Sequence, residues 1–172
     1  MAHSVELLFD QNTEAAVRRE WVALAEAGLP SQARHRSPTN RPHVTLTVAE
    51  RIDPSVDAEL REPAGGLPLE CRIGAPVVFG HQSLTLVRLV VPSTGLLLLQ
   101  QSVDAICAPY LARGPFQHVR PGQWTPHVTL SRRLASSDLA AALDVLGGGD
   151  VVGTFAGLRR WDGDARVDTA IA

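Results

Sequence analysis

A chain of 172 residues, 45% hydrophobic and 20% charged, with a mean hydropathy of +0.03, can bury one sizeable core and has the make-up of a globular domain. Its formal net charge of −2 excludes binding of long nucleic acid by bulk counterion release, and no run approaches the ~18 apolar residues needed to span a bilayer, so no membrane partner is expected. Met1 to Glu6 show no basic segment followed by an apolar run, which makes cytoplasmic residence the expectation, and Cys71 and Cys107 read as small buried hydrophobes with a bridge between them as the alternative.

In chain order, residues 4–10 alternate and predict a strand. Residues 12–27 predict a helix capped by Asn12 or Thr13, with Val17, Trp21 and Leu24 on one stripe and Gly28 as its stop. A polar loop with three prolines leads to a strand over 43–49. Asp53 and Pro54 open a short helix to about residue 62, and strands follow over 67–74 and 76–80. The second half repeats this order. A strand spans 83–90, and Leu96, Leu99, Val103, Ile106 and Tyr110 mark a helix capped near Ser93 or Thr94. After a loop rich in Gly and Pro come a strand over 127–133, a helix over 137–146 capped by Ser136 or Ser137, and strands over 150–158 and 165–170. The expected fold is α+β: a bilobal pseudo-two-fold duplication, with two antiparallel-rich sheets lining a central cleft and helices outside. Residues 1–172 form one domain in this reading, its repeats covering about 1–82 and 83–172.

The strongest signal is the pentapeptide Pro-His-Val-Thr-Leu, which occurs at 42–46 and again at 126–130. On a strand, residues i and i+2 share a face, so His43 pairs with Thr45 and His127 with Thr129. Alternation accounts for Val and Leu as core residues. It does not account for the polar His and Thr recurring on the opposite face; duplication without retained chemistry is the competing reading, against which stand flanks that have diverged almost completely. Imidazole titrates near pH 6.5, so one histidine can act as base while the other acts as acid. The threonine hydroxyls can donate to phosphate oxygens. That pattern suits phosphodiester chemistry without a metal or other cofactor, although which histidine is acid and which is base is not legible.

The paired His-x-Thr signature resembles the two-histidine phosphoesterase superfamily, in its branch of 2′-5′ RNA ligases and RNA 2′,3′-cyclic phosphodiesterases. His127-Val-Thr129-Leu-Ser-Arg132 is similar to that branch's longer His-x-Thr-Leu-x-Arg form, whereas Val48 stands at the matching position of the first motif. The resemblance implies a bilobal fold, catalytic His43 and His127, and phosphate held by Thr45 and Thr129. It implies opening of 2′,3′-cyclic phosphates on RNA ends or small nucleotides; the same chemistry run backwards is 2′-5′ RNA ligation. Hydrolysis of another phosphodiester (ADP-ribose cyclic phosphate or a 2′-5′ oligoadenylate) is the alternative within this class. A non-catalytic RNA- or nucleotide-binding module is the alternative outside it. No obligate protein partner is implied.

Substrate-binding candidates beyond the motifs are fewer. All 16 basic residues are arginine, a planar fork suited to phosphate. Arg34, Arg36 and Arg41 precede the first motif and are candidates to line the phosphate entrance, with a merely solvated loop as the competing reading. Arg132 is another, but five residues after His127 it falls on the opposite face of an ideal strand and needs a twist or a bulge to reach the site. Trp124 is a candidate for stacking a base, as are Phe79 and Trp161, with core packing as the competing reading. His35, His81 and His118 match no metal-ligand spacing and read as exposed loop residues.

Overall fold

The computed structural model describes all 172 residues. Strand β1 (His3–Phe9) precedes helix α1 (Gln11–Glu26), and β2 (His43–Ile52) carries the first pentapeptide's histidine and threonine. A short helix α2 (Arg61–Ala64) leads to β3 (Leu69–Phe79) and β4 (Ser83–Val90). Helix α3 (Thr94–Cys107) and strand β5 (Leu111–Pro115) precede β6 (His127–Ala135), which carries the second motif. Helix α4 (Leu139–Val145) and strands β7 (Val151–Asp162) and β8 (Val167–Ala170) complete the chain.

All pairings are antiparallel, and the strands join in the order β5-β2-β1-β7-β3-β4-β6, with β8 on β7. The two expected sheets are thus joined edge to edge. Their junction is an exchange. Strand β3, from the first half of the sequence, pairs with β4 of the second, and β7 returns from the second half to pair with β1. The exchanged strands also pair with each other, Leu69 to Ile73 against Phe155 to Val151.

The α1 stripe of Val17, Trp21 and Leu24 is buried as expected. On α3 Leu96 and Val103 of the expected stripe are buried, Leu99 and Ile106 are half-buried against the core, Tyr110 lies past the helix end, and Gln100 and Cys107 complete the buried face. Phe9 stacks on Phe155 at 4.9 Å between ring centroids. Gly153 lets α1 settle on β7, since a Cβ there would lie 2.4 Å from Thr13 Oγ1. That hydroxyl accepts the Thr154 N–H at 3.1 Å. Both cysteines are free and buried, and burial pushes each thiol up to about 12, so neither is a reactive thiolate. No helix is long and apolar enough to cross a membrane.

Several boundaries differ from the sequence expectation. Asp10 caps α1, accepting the Thr13 N–H at 2.8 Å, because its extended backbone places the carboxylate over the first turn. The helix expected to 62 is a 3₁₀ turn over Pro54–Ala58 followed by α2, whose Pro63 has no N–H to extend it. The expected helix over 137–146 opens as a 3₁₀ turn and has no side-chain cap. Strands expected over 67–74 and 76–80 are one, β3, with a register shift between Ile73 and Pro76 where the proline cannot donate to the ladder. Strand β5 lies in the loop before the second motif and pairs with the far end of β2.

Candidate active site

Each pentapeptide starts a strand, and proline before each histidine favours an extended entry. His43 Nδ1 donates to the Arg41 carbonyl at 2.7 Å, and His127 Nδ1 donates to the Thr125 carbonyl at the same distance. A carbonyl can only accept, so both imidazoles carry hydrogen on Nδ1 in their neutral form and leave Nε2 for chemistry. Two tryptophans repeat the symmetry one layer out. The Trp124 indole N–H donates to the Thr45 carbonyl and that of Trp21 to the Thr129 carbonyl, each at 2.9 Å.

His43, Thr45, His127 and Thr129 line one open cavity of about 1090 Å³. A β-bulge follows each motif at the same point. Val5 faces Thr47 and Glu6 faces Thr45; likewise Leu86 faces Ser131 and Val87 faces Thr129. The extra residue reverses the alternation, so Thr47 and Ser131 turn inward, where they are buried with hydroxyls that have no partner. The next residue turns to the cavity: Val48 on one side and Arg132 on the other. This bulge supplies what an ideal strand denied Arg132.

The two halves differ beside their histidines. Glu6 projects from β1 with its carboxylate 3.6 Å from His43 Nε2, an ion pair whenever that imidazole is protonated. It is also held by Ser4 Oγ at 2.6 Å and by Arg159 Nε and Nη2, each at 2.8 Å. Burial alone would raise its pKa, but the charges of His43 and Arg159, with the bonds from Ser4 and Arg159, outweigh this and hold the carboxyl below its ordinary value. At the matching position of the second half stands Val87, buried and apolar. His127 meets the edge of Phe79 instead, 5.0 Å between ring centroids. Burial pushes its pKa down, and the nearby charges of Arg132, His43 and His118 add to this against the opposing bond to Thr125.

The other expected residues are placed as follows. Arg41 reaches the cavity, but its guanidinium is taken by Glu14, at 2.9 Å from Nε and 2.6 Å from Nη2, so its carbonyl is what serves His43. Trp124, Phe79, Trp161, His35 and His118 line the cavity; Arg34, Arg36 and His81 do not. One grouping of His3, Asp162 and Asp164 has ligand-type atoms within 4.8 Å of one another. It lies outside the cavity lining, with His3 Nε2 at 3.3 Å from Asp162 and 3.2 Å from Asp164, and Asp164 is also bound to the Met1 ammonium. Glu6, Arg159 and Trp21 were not singled out as site residues. Glu6 carried a signal, as the lone charge within the strand Ser-Val-Glu-Leu-Leu-Phe. The position of Arg159 had none, because it depends on the strand exchange.

No protein of curated function matches the chain in sequence. Among solved structures the fold is similar to Escherichia coli LigT complexed with 3′-AMP, at 17% identity and TM-score 0.59 over 98% of this chain and 92% of that one. It is similar to TT0787 of Thermus thermophilus, at 16% identity and TM-score 0.57 over 100% and 96%. It is also similar to Kluyveromyces marxianus Usb1 with uridine monophosphate, at 12% identity and TM-score 0.53 over 99% and 97%. The family model of the 2′-5′ RNA ligase superfamily matches residues 13–165, which is most of the chain. The chain therefore belongs to the 2′-5′ RNA ligase superfamily.

Proposed function

We propose that the protein is a phosphodiesterase that opens 2′,3′-cyclic phosphates of RNA ends or small nucleotides by acid–base catalysis, with His127 as base and His43 as acid in hydrolysis. The observation that carries this reading is the pair of identically tethered imidazoles in one cavity, only one of which has a carboxylate at its Nε2. His127, kept neutral by burial and neighbouring positive charge, accepts a proton from water at Nε2 as the water oxygen bonds to phosphorus. His43, paired with Glu6 when protonated, gives its proton to the ribose oxygen as the P–O bond breaks. The product is a phosphomonoester, and the roles exchange in the reverse, ligating direction. Thr45 and Thr129 donate to the non-bridging oxygens, and Arg132 offsets the charge that builds on them. The ligands in the related structures, 3′-AMP with LigT and uridine monophosphate with Usb1, support nucleotide-sized occupants for this cavity.

The test is turnover, in the presence of a chelator, of 2′,3′-cyclic mononucleotides, a cyclic-phosphate-ended RNA, ADP-ribose cyclic phosphate and 2′-5′ oligoadenylate. Cyclic phosphate ends are expected to be opened, and His43→Ala and His127→Ala each to lose about 10²- to 10⁴-fold. Turnover of only the other two substrates moves the assignment to that phosphodiester. No turnover of any substrate, with the variants indistinguishable from wild type, leaves a binding module.

A further inference from the structure

We propose that Arg133 forms a second phosphate subsite on the β6 wall of the cavity, so that the preferred substrate carries a further phosphate beside the one being cleaved. This rests on the phosphodiesterase reading and narrows its substrate class. The ligand is an RNA end or a 5′-phosphorylated nucleotide rather than a nucleoside bearing the cyclic phosphate alone.

The argument starts from where the internal symmetry fails. Up to the residue five beyond each histidine the two motif strands match, bulge for bulge. At the next residue they part. In β2 that residue is Ala49, fully buried in the core; in β6 it is Arg133, exposed and lining the cavity. A second bulge, absent from the corresponding stretch of β1 and β2, causes the difference. Between Leu86 facing Ser131 and Leu84 facing Leu134, Arg132 and Arg133 together oppose the single residue Thr85. Consecutive strand residues ordinarily point to opposite faces. Here Arg133 adopts a φ of 59°, a left-handed conformation disfavoured for a long side chain. Both arginines consequently line the same cavity. Backbone held in such a region is a marker of function when the surroundings impose it.

Charge points the same way. The side chains of Arg132 and Arg133 make no hydrogen bond or ion pair within the chain, whereas those of Arg41 and Arg159 are bound to carboxylates. Glu6 is the one acidic residue lining the cavity, and it is already held by Arg159. The two free guanidinium groups thus face an anion-poor wall completed by Thr85 and Phe79, which sit opposite each other on β4 and β3. Spacing separates their tasks. Arg132 acts on the charge of His127; Arg133 stands one residue further out. With Arg132 next to His127, Arg133 is left for the adjoining phosphate of the same nucleotide or chain.

The test compares calorimetric binding of adenosine 3′-monophosphate, adenosine 3′,5′-bisphosphate and a 3′-phosphorylated diadenosine to wild type and Arg133→Gly. Glycine accepts the left-handed backbone, so the bulge survives while the guanidinium is lost. One added phosphate is expected to tighten wild-type binding about tenfold, the order of a charge-assisted contact. In Arg133→Gly that ratio is expected to fall to within about twofold of one. Which ligand shows the gain distinguishes a 5′-phosphate from the inner phosphodiester of a chain. The ratio is taken within each protein, so a general weakening cancels. A wild-type ratio near one for both ligands, or a ratio unchanged in Arg133→Gly, overturns the subsite. Absence of turnover with the ratio intact overturns the phosphodiesterase reading and leaves the subsite standing.

Discussion

Glu6→Gln tests the link between core and site most directly. Glu6 is 4% exposed, and its carboxylate takes two bonds of 2.8 Å from Arg159. At an effective dielectric of about 20, a unit pair at that distance attracts by about 6 kcal/mol. Most of this is cancelled by the cost of taking both charges out of water, so the pair as a whole adds little. Removing one partner is different, because it strands the other: such changes cost about 3 to 5 kcal/mol. Arg159 would retain Asp168 at 2.9 Å and the Thr39 carbonyl at 3.0 Å, which places Glu6→Gln near the lower end, about 3 kcal/mol. With a urea slope of about 1 to 3 kcal/mol/M, the unfolding midpoint at pH 7 should fall by about 1 to 3 M. The difference should also depend on pH. Glu6 sits below its ordinary value in the folded state, so its contribution is fully present above the unfolded value near 4.5 and is lost as pH falls through the folded value. Wild type and variant should therefore converge in acid. Replacing both partners, as Glu6→Leu with Arg159→Met, should cost less than the sum of the singles. Turnover of a cyclic nucleotide, measured well below the unfolding transition, should fall as well, since protonated His43 loses its counter-ion at 3.6 Å. A midpoint within about 0.3 M of wild type at pH 7 would refute the reasoning.

Three further outcomes are expected. Trp124→Phe removes the donor to the Thr45 carbonyl at 2.9 Å and should cost about 1 to 3 kcal/mol in urea unfolding, with kcat reduced more than KM changes because Thr45 loses its anchor. An unaltered kcat would show that the indole only packs. With His127 as base and its pKa lowered by burial, the acid limb of kcat/KM should lie below the ordinary imidazole value of about 6.5; Arg132→Ala should move it upward, and a wild-type limb at or above 6.5 would exclude the assignment. Residues 1–82 expressed alone should give no cooperative thermal transition, because β1 loses β7 and β3 loses both neighbours; a sharp transition would show that the exchange is dispensable.

Much of the candidate site was legible because its chemistry and its periodicity coincide. Two short verbatim copies placed His43 beside Thr45 and His127 beside Thr129, and period-two alternation sent Val44, Leu46, Val128 and Leu130 to the core, where all four are buried. The α1 stripe was equally plain. Arg132 was legible in type but not in direction. Whether a strand bulges depends on register with its neighbour, and nothing local in Leu-Ser-Arg-Arg marks the two extra residues. Arg41 was legible as a cation near the first motif, but Glu14 on α1 takes that charge.

What the amino-acid sequence determined by itself was the duplicated unit, the residues able to move protons, and the faces on which each element buries its apolar side chains. These follow from periodicities of two and 3.6 residues and from side-chain chemistry, which act over a few positions. Tertiary structure alone decided the asymmetry. It brought Arg159 from the last long strand to Glu6 and Glu6 to His43, set Phe79 against His127, and turned Arg132 and Arg133 into the cavity. Those relations join residues as far apart as 6 and 159, and they rest on strand exchange and register, which are fixed only when the whole sheet closes.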